Sequence, residues 1–135
     1  MARPLFSSQA LRAVLLHSHN VANCKRLLLI DPVHDLPVAL RKIDGLDLTS
    51  ARYEMLDGAV LDAASPEMIL APLMTPRFDI LDLARKLDGL GYGGPLRAYS
   101  TPLPSTQLIR AELRGEFPKL DFDIFAVPDG GDREN

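Results

Sequence analysis

The sequence predicts an α/β domain built on a five-stranded parallel sheet in the order 2-1-3-4-5, with helices on both faces. Three observations predict it. Five short strand-like segments alternate with helical ones, the pattern produced by crossover connections. Lys25 to Asp31 and Met68 to Ala71 are apolar on both faces, as central strands are. Leu46 to Tyr53 and Leu120 to Val127 instead alternate apolar with polar residues, as strands at the two edges do.

Each element has a local warrant. Ser7 to Ser18 carries Ala10, Leu11, Val14 and Leu15 at helical spacing, with Ser8 placed to cap it. The Leu27-Leu28-Leu29-Ile30 run is too short for a helix and ends at Asp31-Pro32. A helix from Asp35 to about Asp44 carries Val38, Ala39, Leu40 and Ile43, with Pro37 in its first turn and Gly45 as its left-handed stop. After the second strand, a weak helical stretch spans Glu54 to Ala64, interrupted at Gly58 and closed by Pro66. Pro72 and Pro76 bracket the loop behind the third strand. Phe78 to Gly89 is the clearest amphipathic helix, through Ile80, Leu81, Leu83, Ala84 and Leu87, and the Gly89, Gly91, Gly93, Gly94 cluster ends it in a turn. Leu96 to Ser100 is the fourth strand, and Thr101 to Arg114 the helix after it. Asp129 to Asn135 reads as a polar tail.

The 135 residues suit one domain, divided into a leading helix and linker over 1–24, the sheet domain over 25–128 and the tail over 129–135. Apolar residues make up 47% and charged residues 24%, enough to build a core and to argue against wholesale disorder. Lys plus Arg is 15 against 18 for Asp plus Glu, a net charge of −3 with no block of like charge. A nucleic-acid or anionic-membrane binder would carry a basic excess. Cys24 is the only cysteine, which excludes an internal disulfide and a cysteine-cluster metal site and suits a reducing compartment. No apolar run approaches the roughly 18 residues of a membrane span. Ala13 to Leu16, flanked by Arg12 and His17, lacks the small-residue cleavage site of a signal peptide. The expectation is a cytoplasmic protein that binds neither nucleic acid nor membrane.

The patch from Met68 to Leu83, reading Met-Ile-Leu-Ala-Pro-Leu-Met-Thr-Pro-Arg-Phe-Asp-Ile-Leu-Asp-Leu, carries a resemblance. Together with its surroundings from Lys25 to Pro128, about three quarters of the chain, it resembles the receiver domain of two-component response regulators, a flavodoxin-like three-layer sandwich. In that family the third strand ends in the phosphorylated aspartate, a proline follows four residues on, and an acidic-Gly-x-acidic-Leu step opens the next helix. Pro76, Asp79, Asp82 and Leu83 fall on those places, while Pro72 falls on the aspartate. The first-strand acidic pair falls on Asp31-Pro32, keeping one carboxylate. The fourth-strand Ser/Thr falls on Ser100, and the fifth-strand Lys-Pro on Val127-Pro128, without the lysine. Phosphoryl transfer to a carboxylate needs a nucleophile, a cation held by oxygen ligands and a compensating positive charge. The resemblance therefore implies a degenerate receiver with no catalysis, metal or cofactor, acting as an interaction module in signal transduction.

In that family a fifth helix follows the last strand. Only seven residues follow Pro128 here, so one face beside the last strand would be open unless the leading helix or a second subunit packs there. The expected partner is another protein or a second copy, and the surface implied by the resemblance includes Leu103, Leu108, Ile109, Phe122 and Ile124. Two alternatives stand beside this. Asp31, His34, Asp35, Arg77 and Ser100 would line a ligand or catalytic site at the carboxyl ends of strands one and three, where ligands of such folds collect. Asp57 to Asp62 also reads as a strand ending in an acceptor, which would make Asp62 the phosphorylated residue, although about thirty residues after Asp31 leave little length for two crossovers. Plainer roles compete at each position: Asp31 as a capping or loop residue, Ser100 as an ordinary strand end, His17 and His19 as surface residues, and Cys24 as a small unreactive side chain.

Overall fold

The computed structural model describes residues 24–32, 37, 40, 43, 45–100 and 105–126. The expected leading helix, His17, His19, His34, Asp35, Leu103, Val127 and the polar tail lie outside these residues. The sheet contains β1 (Arg26–Ile30), β2 (Asp47–Ala51), β3 (Met68–Pro72), β4 (Pro95–Ser100) and β5 (Asp121–Ala126). Its order is β2-β1-β3-β4-β5, and every pairing is parallel. Three described α-helices connect these strands: α1 (Gly58–Ala64), α2 (Ile80–Gly89) and α3 (Thr106–Glu116). This is the flavodoxin-like α/β arrangement expected from the sequence.

Burial follows strand position. Leu27 to Ile30 in β1 and Met68 to Ala71 in β3 are all buried, whereas no residue of the edge strand β2 is. Alternate side chains feed two cores. One takes Leu28, Ile30, Ile69, Ala71, Leu96, Ala98, Phe122 and Ile124 from the sheet and packs them against Leu61, Leu83, Ala84, Leu87 and Leu113 of the three helices. The other takes Leu27, Leu29, Met68, Leu70, Tyr99 and Phe125 and packs them with Leu40 and Ile43. Of the expected helix before β2, Pro37 and Leu40 are helical, and Gly45 has the left-handed φ of 80° expected of its stop.

Several boundaries differ from the sequence expectation for identifiable reasons. The second strand stops at Ala51, not Tyr53, because the Tyr53 N–H is taken by a carboxylate outside the ladder, and Tyr53–Met55 turns into a 3₁₀ segment. Gly58 does not interrupt a helix; it opens one, since Asp57 accepts the Val60 N–H at 2.9 Å as N-cap. The strand register over 57–62 is therefore not adopted, and Asp62 is an exposed residue of α1. The helix expected from Phe78 begins at Ile80, where Asp79 and Asp82 form a reciprocal capping box. Phe122 and Ile124 are not on an open surface: they are 1% and 4% exposed in the core shared with α3. On the opposite face Tyr99 and Phe125 are also buried within the single chain.

Leu83 is fully buried at the centre of α2, whereas Leu108 on α3 is 74% exposed. Truncation should separate them. Leu83→Ala is expected to cost about 2–5 kcal/mol in urea unfolding, and Leu108→Ala less than about 0.5 kcal/mol.

Candidate functional site

Parallel strands bring their carboxyl ends to one rim, so Asp31, Pro72 and Ser100 share it without being near in sequence. Asp31 follows β1 directly and holds a left-handed φ of 45°, a conformation aspartate tolerates better than most side chains. Its N–H donates to the Ala51 carbonyl at 2.9 Å, and its Oδ2 accepts from the Tyr53 N–H at 2.8 Å. One residue thus extends the β1–β2 ladder and turns the chain out of β2.

The same Oδ2 lies 2.7 Å from Nη2 of Arg77. Arg77 comes from the turn between β3 and α2. There Thr75 Oγ1 accepts the N–H groups of Arg77 and Phe78, each at 3.1 Å, while the Thr75 N–H donates to the Phe78 carbonyl at 2.8 Å. The turn is anchored to the sheet because Leu73 donates to the Tyr99 carbonyl and accepts from the Ile80 N–H. Arg77 also grips Glu54 with two nitrogens, Nε to Oε2 at 2.6 Å and Nη2 to Oε1 at 3.3 Å. One guanidinium therefore joins the ends of β1, β2 and β3.

The rest of the rim supports this junction. The Tyr53 ring stacks on Phe78 with centroids 4.4 Å apart. Lys86 of α2 places Nζ 4.4 Å from the Tyr53 ring centroid and donates to the Tyr53 carbonyl at 2.7 Å. The paired Arg77 guanidinium holds the Glu54 carboxyl below the usual carboxylate range, and Glu54, followed by Asp31, raises the pKa of Arg77. Asp31, named above as a ligand vestige or a capping residue, is a structural acceptor with a cation of the chain's own.

The other expected positions are less convergent. Pro32 is half-buried and lines an open cleft of about 690 Å³ with Asp31, Thr49 to Arg52, Met55, Val60, Ala63 and Ala64. Pro72 ends β3 in register with Tyr99, and half-buried Ser100 ends β4 in register with Ala126. Burial pushes the Cys24 thiol up and its Sγ donates to the Arg26 carbonyl, which disfavours a reactive thiolate. Arg77 was among the residues named from sequence; Glu54, Tyr53 and Lys86 were not. The residues do not fit a divalent cation of the receiver kind. Pro72 has no oxygen on its side chain, Asp31 already accepts from a guanidinium, and among the described residues no group of three or more His, Cys, Asp or Glu is placed to hold a metal ion.

The depressed Glu54 ionisation makes a signed prediction. The unfolded chain binds the proton more readily, so the contribution of the Arg77–Glu54 pair is complete above the ordinary Glu value of about 4.3 and is lost as pH falls through the lower folded value. Urea midpoints of Glu54→Gln measured down this range should fall less steeply than those of the wild type; parallel curves would refute the pairing. Among the described residues, no helix is long and apolar enough to cross a membrane. Comparisons of the chain with protein-family models, with curated proteins and with solved structures found no match.

Proposed function

We propose that this chain is a receiver-like protein that works through protein contact, without phosphorylation or catalysis, in signal transduction or regulation. The observation that carries the reading is the engagement of Asp31. The one carboxylate left on the family's acidic step accepts from Arg77 and from the Tyr53 N–H, so its charge serves the junction of three strand ends. Pro72 at the end of β3 supports the same reading, since neither its ring nor its nitrogen supplies a nucleophile. What the fold retains is a rigid sheet with shaped edges and an exposed rim, where Met55 and Met74 are 65% and 73% exposed.

A second reading, a small-molecule binder, is favoured by the cleft beside β2. Its volume of about 690 Å³ lies within the roughly 300–1,000 Å³ of ligand pockets. Asp31 and Arg52 are the charged groups among its described lining residues. A fragment screen read by amide shifts would support it if hits moved Thr49, Ala51 and Ala63 together.

The leading reading is tested by incubating the protein with Mg²⁺ and acetyl phosphate and recording its intact mass. The expected mass is unchanged. A species heavier by one phosphoryl group, on Asp31, Asp62 or any other carboxylate, would overturn it.

A further inference from the structure

The two edges of the sheet are treated differently. At β5 the Asp121 N–H donates to the Gly94 carbonyl, which sets the phase: Asp121, Asp123 and Phe125 turn their backbone groups to β4, and Phe122 and Ile124 turn theirs outward. Both outward carbonyls and one of the two outward N–H groups are occupied. Arg114 Nε donates to the Phe122 carbonyl at 3.1 Å, Arg110 Nη2 donates to the Ile124 carbonyl at 3.0 Å, and the Ile124 N–H donates to Asp123 Oδ1 at 2.8 Å. Arg110 is itself fixed to Asp123 by a 2.8 Å ion pair. Side chains therefore close this edge to an incoming strand.

At β2 the phase is set by the Asp47 N–H on the Lys25 carbonyl and the Asp31 N–H on the Ala51 carbonyl. Asp47, Thr49 and Ala51 face β1, and the N–H and C=O groups of Leu48 and Ser50 point outward. Among the described residues nothing bonds to them. Nor does β2 carry the usual protections of an edge: it has no proline, no lysine and no bulge. Alongside it runs the open cleft, lined by Thr49 to Arg52 on one side and by Val60, Ala63 and Ala64 of α1 on the other.

We propose that β2 is a self-association edge, at which two copies of this chain pair antiparallel about a two-fold axis and join their sheets into one. Edge asymmetry selects the occupant. If both edges were open, β2 of one copy would meet β5 of the next and the sheet would grow without limit; the blocked β5 edge leaves the closed, two-fold pairing of β2 with itself. Charge selects the direction. The edge runs from Asp47 to Arg52, both exposed, so antiparallel alignment sets the acidic start of each strand beside the basic end of the other, whereas parallel alignment stacks like charges. The centre, Leu48-Thr49-Ser50, is uncharged. The inference names the contact within the reading of the chain as an interaction module, on which it rests.

The outward phase admits Thr49 or Ser50 opposite its own copy, with Cα atoms about 4.5 or 5.5 Å apart, both within disulfide reach. The full chain should sediment as a dimer at micromolar concentration. Ser50→Pro should return it to monomer with an unchanged far-ultraviolet spectrum and urea midpoint, because that N–H makes no bond to β1. In a Cys24→Ser background, Ser50→Cys or Thr49→Cys should form a covalent dimer on mild oxidation, a readout that does not depend on the proline variant folding. A wild-type monomer at all concentrations overturns the proposal and leaves the edge to an extended segment of another protein. A dimer that survives Ser50→Pro and cross-links at neither cysteine overturns it by placing the contact elsewhere. Neither outcome bears on the phosphoryl assay, so failure here and failure of the non-phosphorylated reading remain distinguishable.

Discussion

An all-parallel sheet cannot use hairpins, and this one constraint orders the molecule. Each strand must be followed by a crossover, so every strand ends on the same rim and every connection crosses a sheet face. The rim gathers side chains that are far apart in sequence: Asp31 from β1, Glu54 beyond β2, and Arg77 beyond β3. The crossovers bury both faces of the middle strands, which is why β1 and β3 are apolar through their cores and the outer strands are not. What the constraint leaves unsolved is the pair of edges, since a parallel sheet of five strands always has two.

At the rim, charge compensation comes from within the chain. A carboxylate at the end of a central strand is costly to desolvate and commonly attracts a cation. Here Arg77 answers it from a turn that Thr75 holds rigid, and the guanidinium fork reaches Glu54 with two nitrogens while reaching Asp31 with one. The consequence is mechanical as well as electrostatic. Because Asp31 also accepts the Tyr53 N–H, the chain leaves β2 at a fixed point, Tyr53 lies on Phe78, and Lys86 closes over the ring.

Much of the fold was legible because its determinants are local. Run length separated β1 and β3 from the edges, Gly45 marked a left-handed stop, and the apolar spacing of Ile80, Leu83, Ala84 and Leu87 marked α2. The misreadings arise where a partner that no local pattern announces decides a residue's role. Tyr53 alternates as a strand residue should, but the Asp31 carboxylate removes its N–H from the ladder. Gly58 looks like a break until Asp57 is recognised as its cap. Glu54 meets Arg77 across 23 positions, and no spacing rule connects them. Phe122 and Ile124 were expected on an open face because no helix was expected after β5; the helix that covers them, α3, precedes it.

The edges show how the same arginines serve packing and exclusion. Arg110 and Arg114 lie on α3, the helix that buries Phe122 and Ile124, and their long side chains pass over the sheet margin to end on the carbonyls of those two residues. Covering the face and blocking the edge are thus one act at β5, whereas α1 beside β2 offers Val60, Ala63 and Ala64, too short to reach around. The difference has a geometric corollary for any assembly through β2. Antiparallel pairing about a two-fold axis sends the carboxyl ends of the two sheets in opposite directions, so the rims of Asp31 and Arg77 would lie at opposite ends of the joined sheet. Each rim would then remain open to a partner of its own, and occupation of one would not obstruct the other.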